Sequence, residues 1–266
     1  MEMASKTAQI VLGATCVVLA ALLVGCGGSS SGESTTAIAA PVRPSADECG
    51  LASSSLGGGE RKSTKAASLP SAGIYRYAVV GSQTVSGSGV RAKDLAPRSE
   101  TLITPSRKLG DLTCFRIQKR FASDIANTAT YVVRGKDVYL VGLVVQALGE
   151  SQEIKPDPAV LSASDSGSSW SGQFGGPTYG SYNFSVGGKR SYRVGGKRLR
   201  AVKISSSVAY RGDFNGTQVS TTWLALDENV VVAEQARSRQ GFGVSDLRLR
   251  SRSRLLSLEP EPLPGA

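Results

Sequence analysis

Apolar and polar residues alternate through most of the chain between residues 70 and 258, and this period of two constrains the fold more than any other feature. Successive side chains of a β-strand point to opposite faces, so alternation predicts strands with one buried and one wet face. Residues 113–121 and 199–210 show it clearly, and nothing after Cys26 has the 3.6-residue period of an amphipathic helix. The sequence therefore predicts an all-β domain over residues 70–258, an antiparallel sheet that forms an open half-barrel or a sandwich.

The predicted domain contains a weak internal duplication. Residues 114–117 and the two strands that follow them parallel residues 201–204 and the two strands that follow those. This predicts two related halves, about 70–165 and 166–258. Asn215-Gly216 is a strong signal for a type I′ turn in the second half. The pentapeptide Val-Gly-Gly-Lys-Arg occurs at 186–190 and at 194–198, and it predicts two more turns that use glycine for positive φ.

A separate apolar run covers residues 10–24, close to the N-terminus. At about 15 residues it is long enough for the apolar part of a signal peptide and short of the roughly 20 that a membrane-spanning helix needs. The run ends in Leu23-Val24-Gly25-Cys26, which resembles the lipobox of bacterial lipoproteins. That resemblance implies cleavage after residue 25 and a diacylglycerol thioether on Cys26. An uncleaved membrane anchor and an ordinary secretory peptide with a chance cysteine are the alternatives.

The same resemblance implies a protein held by its lipid on the extracytoplasmic face of the cell membrane. Two or more acyl chains suffice for stable anchoring, so the membrane is the first expected partner. Residues 26–69 are rich in Gly, Ser and Pro and predict a lipidated N-terminus followed by a flexible linker. Residues 259–266 are Pro-rich and predict a disordered tail. The predicted order along the chain is signal peptide (1–25), linker, β domain and tail.

Two cysteines besides Cys26 remain after the predicted cleavage, Cys49 and Cys114. An exported protein meets an oxidising environment, which permits a disulfide between them. Closing a loop of about 65 residues would contribute roughly 4 kcal/mol in the chain-entropy model. Two unpaired thiols are the alternative, because Cys49 lies in the predicted linker.

The chain contains no histidine. This excludes Ser-His-Asp and Cys-His catalysis, histidine metal sites and histidine pH switches. No Ser-x-x-Lys motif occurs, and the aspartates fall at turn-like positions where they bond their own backbone. We therefore expect no enzymatic activity, no cofactor and no metal site.

The strongest candidate for a binding site is a stripe of arginines close to the C-terminus. If residues 246–255 form a strand, four side chains project from one face: Arg248, Arg250, Arg252 and Arg254. Guanidinium groups bind phosphate and carboxylate through paired hydrogen bonds, so the stripe predicts docking of phospholipid headgroups or anionic wall polymers. The alternative is a solvated outer face whose arginines pair with acidic residues of a neighbouring strand, such as Glu228 or Glu234.

A second basic cluster lies in the repeated pentapeptide and consists of Lys189, Arg190, Lys197 and Arg198. At the tips of the two predicted turns, these side chains would extend the basic face. The net charge of +10 and the pI of 9.6 also favour anionic partners. Few aromatic residues interleave with the bases, so no nucleic-acid partner is expected.

Two functions remain open at this point. The first is a non-catalytic structural or adaptor module of the cell envelope with a basic face. The second is a carrier that holds a lipid or other apolar ligand in a β cavity; residues 141–145, apolar on both faces, would then line a pocket instead of forming a buried central strand.

Aromatic residues between 170 and 192 predict core packing, with a shallow carbohydrate- or lipid-binding platform as the alternative. The arrangement of strands resembles uncharacterised exported β-rich lipoproteins and, more distantly, the open β-barrel carriers of the LolA/LolB type. No motif of those carriers matches residue by residue, so no site residue can be transferred from them.

Overall fold

The structure is a computed structural model that describes a defined part of the chain. The described residues are 43–45, 49, 69–86, 91–122, 125–134, 137–147, 150–156, 159–160, 169–176, 178–212, 215–225, 227–242 and 245–264. The predicted signal peptide, the lipidation site Cys26 and most of the predicted linker lie outside them and stay predictions. The described part is almost entirely antiparallel β-structure, which confirms the predicted fold class.

The described strands follow one another along the chain with short connections. Their bounds are β1 Gly73–Ser86, β2 Arg91–Asp94, β3 Arg98–Ile103, β4 Arg107–Leu109, β5 Leu112–Ala122, β6 Ile125–Arg134, β7 Asp137–Ala147, β8 Glu150–Pro156, β9 Ala159–Val160, β10 Ser169–Gly175, β11 Thr178–Val194, β12 Lys197–Gly212, β13 Asn215–Ala225, β14 Val230–Phe242 and β15 Ser245–Leu255.

These strands form one curled sheet, shaped like a half-barrel, whose first and last long strands are paired with each other. From β5 to β8 and from β10 to β15 each strand pairs with the next, as in a meander. The last strand, β15, then pairs with β1 over a long register, from Tyr77 opposite Leu255 to Ser86 opposite Asp246. The weakest junction lies between β8 and β10, where two residue pairs are recorded among the described residues.

The predicted duplication has a counterpart in the strand register. Cys114 lies opposite Val132, which lies opposite Tyr139, across β5, β6 and β7. The same two steps across β12, β13 and β14 join the corresponding residues, which are Ala201, Ala225 and Val230. Each copy also contains a bulge at the matching point of its third strand, at Val141 and at Val232. Such agreement in register and bulge position makes β5–β7 and β12–β14 two versions of one three-stranded unit.

The apolar residues form a large core on the inner face of the sheet and a smaller cluster on the outer face of β5–β7. The large core contains Phe115 and Tyr131, whose rings stack with centroids 5.4 Å apart. The outer cluster consists of Cys49, Leu112, Cys114 and Val132, with Val141 packed against it. Leu143 of β7 lies in the large core while Val141 packs against the outer cluster, so these two residues of the 141–145 segment contact opposite faces.

Parts of the predicted linker are attached to this outer cluster. Cys49 is bonded to Cys114 by a disulfide with the Cα atoms 6.0 Å apart. Pro44 is buried, and its carbonyl oxygen accepts a hydrogen bond of 2.6 Å from Nε of Arg107. Pro44 therefore attaches the N-terminal segment to β4, and the disulfide attaches it to β5. Both residues of this segment precede the first strand, β1, along the chain.

The two copies of Val-Gly-Gly-Lys-Arg adopt different structures. Gly195-Gly196 forms the two-residue turn between β11 and β12, with φ values of 53° and 81°. Gly187-Gly188 instead lies inside β11, where the register shifts between Val186 and Lys189. The prediction of a turn there was wrong, because β12 runs past this point as one strand and β11 accommodates its extra residue as a bulge.

Asn215-Gly216 also differs from its prediction, since it begins β13 and is paired within the sheet. Gly216 lies opposite Tyr210. A Cβ atom at Gly216 would overlap the carbonyl oxygen of Arg239 and come within 2.9 Å of the Tyr210 hydroxyl. Glycine is needed here for close approach of its neighbours and not for a type I′ turn.

The C-terminal tail, for which we predicted disorder, is partly fixed on the sheet. The backbone of Glu261 exchanges two hydrogen bonds with Ile74, of 2.8 and 2.9 Å. Its carboxylate forms an ion pair of 2.9 Å with Arg76. Glu261 thus adds a bridge to β1 beyond the end of β15.

Candidate functional site: an arginine patch on the outer face

The arginine stripe lies on β15, and its side chains occupy the outer face of the sheet. All four of its arginines are exposed, while Leu247, Leu249 and Leu255 are buried on the inner face. Alternation along a strand produces this division, because each leucine anchors the strand while its neighbouring arginine faces water.

The acidic partners that we considered for the stripe lie elsewhere. Glu234 pairs with Ser253, not with an arginine, so its side chain is on the inner face and binds Nζ of Lys119 at 3.0 Å. Glu228 lies in the turn before β14 and forms an ion pair with Lys197. Among the described residues, no ion pair is recorded for Arg248, Arg250, Arg252 or Arg254. The alternative that Glu228 or Glu234 pairs with the stripe was therefore wrong.

Two further arginines, on β14, complete the basic surface, and the sequence reasoning missed them. Arg237 lies directly opposite Arg250, and Arg239 lies directly opposite Arg248. Asp246 neutralises Arg239 at 2.8 Å. The arginine patch is defined as Arg237, Arg239, Arg248, Arg250, Arg252 and Arg254. The alternation Arg-Ser-Arg at 237–239 was the available signal, but its importance depended on knowing that β14 and β15 are paired.

Like charges directly opposite each other destabilise a sheet, so the pair Arg237 and Arg250 has a cost in the free protein. Both residues line an outer groove of about 440 Å³, together with Arg252 and the exposed Val80 and Val219. An anion in this groove would lie between guanidinium groups of neighbouring strands, which relieves their repulsion.

The second basic cluster is divided by the structure. The guanidinium carbon of Arg190 lies 5.8 Å from the centre of the Tyr192 ring. Burial raises the pKa of the Tyr192 hydroxyl, and the charges of Arg190 and Arg254 oppose that rise. Arg190 therefore lies beside the Tyr192 ring, and its predicted role in extending the basic face stays a prediction.

The other three bases of the cluster have separate surroundings. Lys189 is exposed on β11 just after the bulge, and Arg198 is exposed on β12 opposite Arg193. Lys197 is held by Glu228 next to the Gly195-Gly196 turn. Their predicted role in anion binding stays a prediction.

The aromatic residues of β10 and β11 are mostly used in packing. Trp170 stacks on Phe184 with centroids 5.3 Å apart, and Tyr182 packs beside Phe184 at 5.6 Å. Phe184 belongs to the large core. Packing was the expected role of these rings.

The inner face changes from apolar to polar along the strands of the second half. Ser206 and Ser220 share a hydrogen bond of 2.6 Å, and Gln218 and Gln240 are almost completely buried. Burial raises the pKa of Tyr210 far above its usual value, and the neighbouring Gln240 side chain partly opposes the rise. Burying amides and hydroxyls against hydrocarbon is unfavourable, so this end of the interior is poorly suited to an apolar ligand.

Two absences among the described residues bear on the class of site. Within the described ranges, no group of three or more acidic or cysteine side chains is arranged to hold a metal ion. In the same part of the chain, no helix has the length and apolar character to cross a membrane.

Comparison with known proteins gives weak structural likenesses. No protein-family model and no curated protein sequence matches this chain. A candidate lipoprotein from Parabacteroides distasonis is similar over 71% of this chain and 95% of its own, with 9% identity and a TM-score of 0.37. A candidate exported protein with a YmcC-like fold from Bacteroides fragilis covers 71% and 96%, with 8% identity and a TM-score of 0.32.

The hypothetical lipoprotein YmcC of Escherichia coli is similar over 79% of this chain and 97% of its own, with 12% identity and a TM-score of 0.27. Scores this low do not carry a function from one protein to another.

Proposed function

We propose that this chain is an exported, lipid-anchored protein without catalytic activity, and that its arginine patch binds an anionic polymer of the cell envelope. The observation that carries the proposal is the surface of β14 and β15. There, six arginines share one face and, among the described residues, one of them has an acidic partner. Guanidinium groups bind carboxylate and phosphate through paired hydrogen bonds. They are weakly hydrated, so little water has to be displaced, and such a surface is suited to a polyanion.

The lipid anchor is supported by the N-terminal motif ending at Cys26, which lies outside the described residues. A protein fixed on the outer side of a membrane meets envelope polymers and lipid headgroups before it meets other polyanions. The basic net charge of the chain would also speed encounter with such a partner.

Binding of a defined polyanion by the full chain tests this function. The protein is purified in a nonionic detergent and titrated with a fluorescently labelled polygalacturonate at several salt concentrations. We expect the affinity to fall as salt rises, because arginine contacts release counterions. The double variant Arg250→Gln and Arg252→Gln should weaken binding about tenfold, equivalent to about 1.4 kcal/mol.

A matched control replaces two exposed bases far from the patch, Lys108 of β4 and Arg193 of β11, by glutamine. It removes the same net charge and should change affinity less than twofold. Equal losses in the two double variants would show that net charge alone, and not the arginine patch, attracts the polymer.

A further inference from the structure

Two parallel rows of side chains cross the outer face of seven strands, from β10 to β15 and on to β1. Each row is defined by direct pairing of neighbouring residues across the strands. The first row is Ser171, Asn183, Ser207, Val219, Arg237, Arg250 and Ser82. The second row is Ser169, Ser185, Ser205, Thr221, Gln235, Arg252 and Val80.

The valley between the rows contains two grooves that meet. One groove, of about 470 Å³, is lined by residues of both rows on β10, β11, β12 and β13. The other, of about 440 Å³, is lined by residues of both rows on β13, β14, β15 and β1. Val219 lines both of them. Seven strands have six gaps, so the continuous valley is about 29 Å long at about 4.8 Å per gap.

The two ends of the valley differ in chemistry. On β10, β11 and β12 the rows supply hydroxyls and one amide, and none of the six side chains is charged: Ser169, Ser171, Asn183, Ser185, Ser205 and Ser207. On β14 and β15 three of the four side chains are arginines. Between the hydroxyl and arginine ends lies Val219, which is 55% exposed, and beyond the arginines lies Val80, which is 75% exposed.

The two kinds of lining together narrow the class of ligand. A polyphosphate can accept hydrogen bonds from the serine hydroxyls, but it has no hydroxyls to donate to Asn183 and no C–H faces to pack on Val219 and Val80. A neutral ligand gains nothing from opposed guanidinium groups, which an anion must approach to relieve their repulsion. The whole valley suits an extended chain that carries many hydroxyls, apolar C–H faces and carboxylates.

We propose that the valley binds a single chain of an acidic polysaccharide, laid across the strands. Its hydroxyls would exchange hydrogen bonds with the serines and Asn183, and its carboxylates would bind Arg237, Arg250 and Arg252. This inference rests on the proposed function, which requires an anionic polymer of any kind, and it narrows that polymer to a hydroxyl-rich acidic glycan.

A blocking variant at the uncharged end separates the inference from the proposed function. Ser207 is exposed on β12 and lies in the first row, so Ser207→Tyr fills the serine end without touching an arginine. The control is Ala209→Tyr. Ala209 is the next residue of β12 on the same exposed face as Ser207, and it belongs to neither row. Tyrosine is well accepted on the surface of a strand, and thermal unfolding would verify that both variants fold.

The full chain in nonionic detergent is titrated with two probes, a polygalacturonate oligomer and a polyphosphate with the same number of charges. We expect Ser207→Tyr to weaken polygalacturonate binding at least tenfold and to change polyphosphate binding less than twofold. Ala209→Tyr should change neither by more than twofold. The double variant Arg250→Gln and Arg252→Gln should weaken both probes.

Several outcomes would overturn the inference. If Ser207→Tyr leaves polygalacturonate binding unchanged while the arginine variant weakens it, the glycan site is wrong and the proposed function stands. Equal loss of both probes in Ser207→Tyr would also overturn the glycan preference. Tighter, arginine-dependent binding to phosphatidylglycerol vesicles than to polygalacturonate would assign the patch to lipid headgroups. If neither probe binds the unmodified protein at low salt, the proposed function falls as well.

Discussion

The units β5–β7 and β12–β14 share one strand register and one bulge, yet their outer faces have opposite environments. Gln118 and Thr128 are paired across β5 and β6, at the positions that Ser205 and Thr221 occupy across β12 and β13. Gln118 is buried and donates a hydrogen bond of 3.2 Å to Thr128. Ser205, by contrast, lines an open groove.

The disulfide-linked N-terminal segment accounts for part of this difference. Cys49 and its neighbours in the outer cluster pack on the face of β5–β7. At least part of one copy's outer face is therefore used for stability, while the outer face of the other copy stays exposed, and there we propose that a partner binds. The comparison shows that one backbone arrangement serves two roles according to what covers it.

Truncating an inner-face residue of the first copy should have the largest effect on stability. Phe115 is 1% exposed and stacks on Tyr131, so Phe115→Ala should reduce the free energy of unfolding by about 4 kcal/mol. The corresponding residue of the second copy is Val202, and Val202→Ala should cost about 2 kcal/mol because fewer methyl groups are removed. Urea unfolding measures both values. A larger loss in Val202→Ala would mean that the second copy, not the first, dominates the core.

Removing the disulfide tests how much the N-terminal segment stabilises the first copy, β5–β7. The double variant Cys49→Ala and Cys114→Ala should lose about 4 kcal/mol, because the unfolded chain regains the freedom of a long loop. Hydrogen exchange should accelerate more in β5–β7 than in β12–β14. Polygalacturonate affinity should stay within twofold. A uniform rise in exchange over both copies would contradict the separate roles assigned to them.

The ion pair between Lys119 and Glu234 joins the two copies across the interior, and breaking it should have an intermediate effect. Its side chains are 19% and 13% exposed. Lys119→Met alone should cost about 2 kcal/mol, because it leaves the Glu234 carboxylate mostly buried without its cation. The double variant Lys119→Met and Glu234→Leu should recover most of that loss. Thermal unfolding of the single and double variants checks this; a double variant no more stable than the single one would refute it.

The smallest effect is expected at the matched outer positions. Gln118→Ala should cost about 1 kcal/mol, since it removes buried hydrogen bonds to Thr128 and from Arg120. Ser205→Ala should change stability by less than about 0.5 kcal/mol, because the side chain lines an open surface. Denaturant midpoints measured for the two variants give the comparison. An equal loss of stability in the two variants would show that the two outer faces are buried to the same degree.

Much of the fold was predictable because strand alternation is a local property. The strands, the all-β class and the exposed face of Arg248 to Arg254 follow from side chains that point alternately to two sides. The duplication was visible for the same reason, since residues 114–117 and 201–204 repeat one local pattern. The predictions of turns at Gly187-Gly188 and Asn215-Gly216 were wrong because glycine is also favoured in bulges and where neighbouring groups approach closely.

The candidate site was predictable only in part, because it depends on which strands are neighbours. Arg237 was recognised as part of the site only because β14 lies beside β15. The serines of β11 and β12 indicate a binding surface only when the pairing of these strands places them in a row. Glu234 was one possible partner of the stripe in the alternative interpretation, but pairing places it opposite Ser253 and so on the inner face. One residue of register reverses the face of a side chain, and local pattern contains no information on register.

The amino-acid sequence determined the class of fold, the positions of the strands and the face of each strand that carries charge, because these depend on neighbours along the chain. It also contains the N-terminal motif from which we predict export and lipidation. The tertiary structure decided which charges lie together, which are neutralised and which outer face is covered. Those properties depend on contacts between residues far apart in sequence, such as Cys49 with Cys114, Lys119 with Glu234 and Arg237 with Arg250.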